Sequence, residues 1–376
     1  MDYVYPFNDS MKIEAGFHAT LKQRDDQYYV ESDSNDIQVF VPNVNLNNDF
    51  NFGQQVYAAY FTWGHQVGKF GYKLGVRAEQ TFTKSILVTT NETFKNNYFG
   101  LFPTAHFSYQ INRSHSLTLG YSRRINRPRN GQLNPFADLT NPYSIHKGNP
   151  FLKPEFVHVV EFGYTAYLKK LMISTSLYYR YLDDVIRRQL TVNGNVATVE
   201  FDNIAIGQRI GAELMIRYKP YKWWTLMGSG NLNYTITDKE GFDPNLNFES
   251  VGLRYNLSTK FDIKHGISIQ LSSRGRMAMR VLQGTIKPMW GIDFAISKSL
   301  FKKKGSISFR VSDIFNTRTF TFESLPLNGL EYNTTHKWES RSFYLSFRYS
   351  FGKKTRGRMN KREKNGAGDN NYVPGL

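Results

Sequence analysis

Apolar side chains return at every second position along most of this chain. In 116–122, Leu117, Leu119 and Tyr121 fall on one side, and Ser116, Thr118, Gly120 and Ser122 on the other. In 171–181, Ile173, Leu177, Tyr179 and Tyr181 share one side, and Ser174, Ser176 and Arg180 the other. Near the end, Phe343, Leu345, Phe347, Tyr349 and Phe351 alternate with Tyr344, Ser346, Arg348 and Ser350. A period of two marks a β-strand with one apolar face, because successive side chains of a strand point to opposite sides. The pattern recurs through 70–82, 209–219, 223–235, 267–275 and 305–311, and helical periodicity is hard to find. It is less clean in 54–66 and 98–111, where long apolar runs blur the facing.

The alternation predicts about 14 long strands, with ends good to about 2–4 residues: 11–23, 54–66, 70–83, 98–111, 115–125, 155–167, 171–185, 207–219, 223–236, 249–263, 267–279, 288–300, 305–316 and 340–352. Residues 2–7 read as the tail of one more. Such strands exceed the usual soluble length of about 5–6 residues and reach the roughly 9–11 that a tilted strand needs to cross a bilayer. Short turns at 8–10, 67–69, 112–114, 168–170, 220–222, 264–266 and 301–304 alternate with long loops at 24–53, 84–97, 126–154, 186–206, 237–248, 280–287 and 317–339. Transmembrane barrels have this asymmetry, with tight periplasmic turns and long external loops. The expected fold is therefore all-β, an antiparallel transmembrane β-barrel over 1–352, with both termini on the short-turn, periplasmic side.

Composition supports the pattern. Mean hydropathy is −0.49 and 40% of residues are hydrophobic, yet 15% are aromatic. That combination suits a wall with one greasy face and aromatic belts. Trp223 and Trp224, near Tyr218 and Tyr221, fit such a belt at a short turn. There is no cysteine, and so no disulfide, thiolate metal site or thiol nucleophile. No run of about 18 apolar residues predicts a membrane helix. Met1 is followed by Asp2 with no secretory leader pattern, from which we expect either that Met1 lies inside a longer natural protein or that the gene start is truncated. Net charge is +17. Part of it sits in 353–376, where Lys353, Lys354, Arg356, Arg358, Lys361, Arg362 and Lys364 face Glu363 and Asp369. A solvated, disordered periplasmic tail accounts for these better than a nucleic-acid arm, so no nucleic-acid partner is expected.

If the apolar faces meet lipid, the opposite faces line a lumen. That assigns Lys73, Arg77, Glu79, Arg124, Arg180, Glu213, Arg217, Arg274, Arg310 and Arg348 to the interior. A charge on the lipid face would cost about 2–4 kcal/mol near the midplane. Two readings stay open: a generic wet lumen, or Arg and Glu pairing across the wall or holding a plug.

Residues 120–128 read Gly-Tyr-Ser-Arg-Arg-Ile-Asn-Arg-Pro, followed by Leu133-Asn134-Pro135-Phe136, Gly148-Asn149-Pro150-Phe151-Leu152-Lys153-Pro154-Glu155 and Glu161-Phe162-Gly163-Tyr164. This resembles the outer-membrane β-barrel family related to TonB-dependent receptors. The residues that carry the likeness are Arg123, Arg124, Pro128, Asn134, Pro135, Gly148, Asn149, Pro150, Leu152, Pro154 and Glu155, with Asp313, Phe315 and Asn316 near the end. The aromatic end of the last strand is similar to the signal by which the barrel-assembly machinery recognises such proteins. The resemblance implies an outer-membrane location, lipid as surroundings, and the C-terminal part of a barrel of about 22 strands. It also implies a receptor or transporter that takes up an external ligand with the help of a plug domain and a TonB-type energy coupler. With neither plug nor coupling box in the sequence, active transport is not expected of this chain alone. The ligand stays open among iron chelates, oligosaccharides and peptides, with loops 24–53 and 126–154 as the expected contacts.

No catalytic signature stands out: there is no His-Glu-x-x-His, Gly-x-Ser-x-Gly or phosphate-binding loop. No enzyme activity and no cofactor are expected. Asp183 and Asp184 adjoin at a strand end, where a solvated loop explains them. Loop 24–53 carries Asp25, Asp26, Glu31, Asp33, Asp36 and Asp49, but not at calcium-loop spacing. The alternatives are a barrel with a structural or adhesive role, a membrane-embedded lipase or protease, and a soluble nucleic-acid-binding β protein.

Overall fold

The computed structural model describes residues 1–33, 39–43, 46–139, 141, 143–238, 248–281, 283–326 and 331–351. The basic stretch 353–376 and most of loop 237–248 lie outside them, as does Asp36. Within them the chain forms β1 (Asp2–Pro6), β2 (Met11–Tyr28), β3 (Glu31–Asp33), β4 (Phe40–Pro42), β5 (Asn48–Val67), β6 (Phe70–Leu87), β7 (Glu92–Asn112) and β8 (His115–Asn126). A single helical turn, α1 (Asn130–Leu133), is followed by β9 (Ser144–His146), β10 (Glu155–Tyr167), β11 (Leu171–Asn193), β12 (Val196–Tyr221), β13 (Trp224–Asp238), β14 (Phe248–Ile263) and β15 (Ile267–Arg276). The chain continues through β16 (Met279–Val281), β17 (Gly284–Ile286), β18 (Met289–Leu300), β19 (Gly305–Ser312), β20 (Thr319–Ser324), β21 (Asn333–Lys337) and β22 (Ser342–Tyr349).

One 16-stranded sheet dominates, with the path β1-β2-β5-β6-β7-β8-β10-β11-β12-β13-β14-β15-β18-β19-β22. It is an antiparallel meander in sequence order, and β9 joins it in parallel against the long-loop end of β12. Each expected strand falls on a member of this path. Its apolar face is bare: Leu345 is 74% exposed, Leu177 60% and Leu257 51%. A soluble monomer does not present so extended an apolar surface, whereas a wall facing hydrocarbon does. At the short turn between β12 and β13, Trp223 stacks on Tyr221 with ring centroids 5.5 Å apart. Trp224 stacks on Phe261, and its indole N–H donates to the Thr259 hydroxyl at 2.9 Å, one ring keeping an apolar body and a satisfied polar end.

Several expected boundaries are corrected. Much of loops 24–53, 84–97 and 186–206 is strand: β2 runs to Tyr28 against β5 from Asn48, β6 to Leu87 against β7 from Glu92, and β11 to Asn193 against β12 from Val196. The ladder continues there while the alternation fades, because beyond the bilayer both faces can meet water or protein. Loops 280–287 and 317–339 contribute β17 and β20–β21 to a second, four-stranded sheet that begins with β16. The strand expected at 267–279 stops at Arg276. The one expected at 305–316 stops at Ser312, since Asp313 turns the chain with φ 44°. Asp183 and Asp184 sit at a bulge inside β11, with Asp184 at φ 54°.

Among the described residues β1 pairs only with β2, and β22 only with β19. The sheet therefore has two open edges and does not close on itself. The principal buried apolar cluster lies at its long-loop end, where Phe50, Phe52, Leu87 and Ile186 pack with Leu133 and Leu152 of loop 126–154.

Neighbouring residues of β12 test the facing. Leu214→Lys puts a charge on the bare apolar face and is expected to cost about 2–4 kcal/mol. Met215→Lys, on the opposite face, is expected to cost less than about 1 kcal/mol. Urea titration of the chain folded into phosphatidylcholine vesicles reads the difference; equal costs refute the assignment.

Candidate functional site

The strand register carries the polar face from one end of the sheet to the other. Lys73, Arg77 and Glu79 share a face of β6, and Arg77 lies opposite Phe102. Two residues on, Thr104 lies opposite Ser122, and Arg124 follows on the same face opposite Val157. Val159 faces Arg180, and Arg180 faces Arg209, which shares its side of β12 with Glu213 and Arg217. Arg209 faces Thr235, and Thr235 faces Ser250; four residues on, Arg254 faces Arg276, beside Arg274. Arg274 faces Gly291, next to Asp293; Ala295 faces Arg310, Arg310 faces Tyr344, and Arg348 follows. The ten charged candidates thus share one sheet face.

Their partners differ. Lys73 donates to Glu14 at 2.9 Å. Glu79, nearly buried, is held between Arg77 and Arg127, and Arg127 also donates to the Thr81 hydroxyl at 3.0 Å. Asp293, also nearly buried, takes Arg274 at 3.3 Å and Arg310 at 3.2 Å on one oxygen, and Arg318 at 2.6 Å with the Asp313 amide on the other. Arg124 donates to Ser122, and Glu213 accepts from Asn231 at 2.8 Å. Arg180, Arg217 and Arg348 have no ion pair among the described residues.

The loop motif has a packing role that its sequence does not state. Gly148 sits where a Cβ would lie 2.5 Å from the Asn134 carbonyl oxygen and 2.6 Å from that of Gln132. Its N–H donates to Asn134 O, and the Asn149 N–H to Gln132 O, so the returning limb of the loop is hydrogen-bonded to the outgoing one. The Asn149 side chain accepts from the Phe151 amide, and that of Asn134 from the Phe136 amide. Leu152, 2% exposed, is the anchor in the apolar cluster at the long-loop end of the sheet. Pro154 is buried immediately before β10, at a strand start where its missing donor removes no ladder bond. Glu155 then spans two elements, accepting from the Ile186 amide at 2.6 Å and the Asn126 side chain at 2.7 Å. Arg123 lies over the Phe156 ring at 4.5 Å. Pro128 and Pro150 line a cleft with Phe52, Phe94, Tyr98 and Leu152.

The second motif, Val311–Asn316, is a hydrogen-bonded turn at the long-loop end of β19. Asp313 is fully buried. One oxygen accepts from the Thr317 amide and hydroxyl, both at 3.1 Å; the other accepts from the Arg318 amide at 3.0 Å and the Ser340 hydroxyl at 2.6 Å. Burial disfavours its charge, but the Ser340 hydroxyl and the Arg318 and Thr317 amides outweigh that and hold the carboxyl below the usual aspartate value. Asn316 also turns the chain, with φ 53°, and Lys337 donates to its carbonyl. Phe315 stays exposed, near Trp290.

Sequence reasoning missed Asp293, Arg209, Arg254 and Arg276, although each alternates with apolar neighbours and so carried a signal. It also missed Arg127, Arg318 and Ser340, which lie in loops where no periodicity could find them. Among the described residues no group of three or more His, Cys, Asp or Glu is placed to hold a metal ion.

The family model described as "Outer membrane protein beta-barrel family" matches residues 1–349. No curated protein matches the chain. Solved structures do. The ferric yersiniabactin uptake receptor FyuA from Yersinia pestis is similar over 93% of this chain and 52% of its own length, with TM-score 0.62 and 13% identity. The copper transporter OprC matches over 93% and 55%, with TM-score 0.66 and 13% identity. The ferric citrate transporter FecA matches over 92% and 52%, with TM-score 0.63 and 13% identity. The chain spans about half the length of these structures, and at such identity the likeness is one of fold.

Two substitutions test the anchors. Leu152→Ala is expected to cost about 2–5 kcal/mol of local stability, seen as faster amide exchange at Gly148, Asn149 and Leu152. Exchange unchanged from the parent refutes the anchor. A carboxyl held below its ordinary value contributes stability above that value and loses it as pH falls through the lowered one. The parent is therefore expected to weaken below about pH 4. Asp313→Asn is expected to cost about 2 kcal/mol at neutral pH and to flatten that acid limb; an unchanged acid limb counts against the role given to Asp313.

Proposed function

The chain belongs to the outer membrane protein β-barrel family, and on that premise we propose that it is the wall of a receptor or transporter barrel that takes up an external ligand. The continuous polar face, set against a bare apolar one, carries this reading. Lys73, Arg77, Glu79, Arg124, Arg180, Glu213, Arg217, Arg274, Arg310 and Arg348 then line the lumen, while Leu, Phe and Tyr side chains meet outer-membrane lipid. The short turns face the periplasm together with both termini, and the loops face outward. The packed loop 126–154 and the long hairpin of β2 and β5 make the entrance. Fold likeness to uptake receptors for ferric chelates and to a copper transporter supports uptake as the role and places metal chelates among the ligand classes to try first.

The two open sheet edges bear on the size of the complete wall. Hydrocarbon offers no hydrogen bonds to unpaired strand edges, so further strands must join β1 to β22. A barrel of about 22 strands is the natural assembly. Energy-driven uptake by such a barrel requires a plug and a TonB-type coupler, and this wall does not drive transport without them. No catalytic role is assigned to it.

The absence of cysteine makes topology directly testable. Phe151→Cys, 75% exposed on the loop, is expected to react with an impermeant maleimide in intact cells, and Lys169→Cys, on a short turn, only after permeabilisation. The reverse pattern refutes the orientation. For function, cells carrying and lacking the gene are compared for accumulation of a ferric chelate, a maltooligosaccharide and a peptide. Loss of one of the three, mimicked by an uncoupler, is expected; equal accumulation of all three refutes uptake.

A further inference from the structure

Most carboxylates on the polar face are matched by cations, but several arginines of that face make no ion pair among the described residues, and four of these face one another across the ladder. Arg180 of β11 and Arg209 of β12 lie directly opposite each other, and so do Arg254 of β14 and Arg276 of β15. Like charges directly opposite across a ladder repel and destabilise it. None of the four makes an ion pair among the described residues. Arg209 spends one donor on the Thr235 hydroxyl, at 3.1 Å. Arg180 and Arg276 rest on the rings of Tyr178 and Phe320, which leaves their donor edges free. Nε of Arg180 and both Nε and Nη2 of Arg276 are buried without a hydrogen-bond partner. The two pairs form one field, since Arg209 has Arg187, Arg180 and Arg254 as like-charged neighbours. Of the nearby carboxylates, Glu155 accepts from Asn126 and Ile186 and Glu213 from Asn231, while Glu161, opposite Tyr178, makes no ion pair among the described residues.

We propose that Arg180, Arg209, Arg254 and Arg276, with Arg187 beside them, bind a small multivalent anion carrying several carboxylate or phosphate oxygens. This deepens the uptake reading and rests on it, by naming the chemistry of the cargo or of its charged groups. Planar guanidinium groups with free donor edges are suited to paired oxygen acceptors. Each of the four lies roughly ten residues along its strand from the short-turn end, about 30 Å of strand. That is the outer part of the wall, within reach of a solute entering between the loops. A lipid phosphate is the wrong source, because these side chains share the face opposite the apolar one.

The full chain in detergent is titrated calorimetrically with pyrophosphate and with citrate, and with acetate as the monovalent comparison. Saturable binding of a multivalent anion is expected, weakened about tenfold or more by Arg209→Gln and by Arg254→Gln. Arg348→Gln removes the same charge near the short-turn end and is expected to leave binding unchanged. Arg209→Gln is also expected to raise the urea midpoint, because it relieves repulsion, whereas loss of a purely structural arginine lowers it. No binding of either multivalent anion up to about 10 mM, equal weakening by Arg348→Gln, or a lowered midpoint with unchanged affinity each overturns the site. Binding that persists in a protein shown to have no uptake role leaves the site standing and removes the uptake reading. Uptake without anion binding does the converse.

Discussion

A strand that crosses hydrocarbon must satisfy its backbone N–H and C=O groups on adjacent strands, because the solvent offers them nothing. That requirement shapes the spanning part of this molecule. It explains why the path is an antiparallel meander in sequence order, with short turns linking neighbours at one end. It also explains the division of the two faces. Once the backbone is paired in the ladder, a spanning side chain can point only toward lipid or away from it, and the charges collect on the side away from it. The edges of β1 and β22 are where the requirement is unmet among the described residues.

Outside the bilayer a different force takes over. The buried apolar cluster lies at the long-loop end of the sheet, where Phe50, Phe52, Leu87 and Ile186 receive Leu133 and Leu152. Water is present there, so hydrophobic burial can fold a loop in the ordinary way. Loop 126–154 is closed by Gly148 against the Asn134 and Gln132 carbonyls and fastened by Glu155. At the rim near β22, Asp313 does the equivalent with hydrogen bonds, tying the end of β19 to Ser340 just before the last strand. The two most family-like segments therefore hold loop ends in place.

Charge on the polar face is handled in two ways. Glu79 and Asp293 each gather several arginines, which offsets the cost of their burial with close, charge-assisted hydrogen bonds. The arginines of β11, β12, β14 and β15 are left facing one another without a carboxylate. Paired charges stiffen the wall, while unpaired ones keep binding capacity at some loss of stability. The same face thus holds both paired and unpaired charge.

The amino-acid sequence by itself determined which stretches cross and which side of each is apolar. Those follow from a local rule, the alternation of side chains along a strand, and Leu117, Leu119, Leu345 and Phe347 obey it without reference to any neighbour. It also marked Gly148, Leu152, Glu155 and Asp313 as special, but not why. Their reasons are contacts with Asn134, Phe50, Ile186 and Ser340, residues remote in sequence and brought near only by folding. Tertiary structure alone decided that outer loops such as 186–206 continue as paired strands. With no lipid there to enforce alternation, hydrogen bonding kept the ladder while the hydropathy signal disappeared. It alone also decided which arginines found a carboxylate, because the register that sets Arg180 against Arg209, and Asp293 within reach of Arg318, is a property of the assembled sheet and not of any one strand.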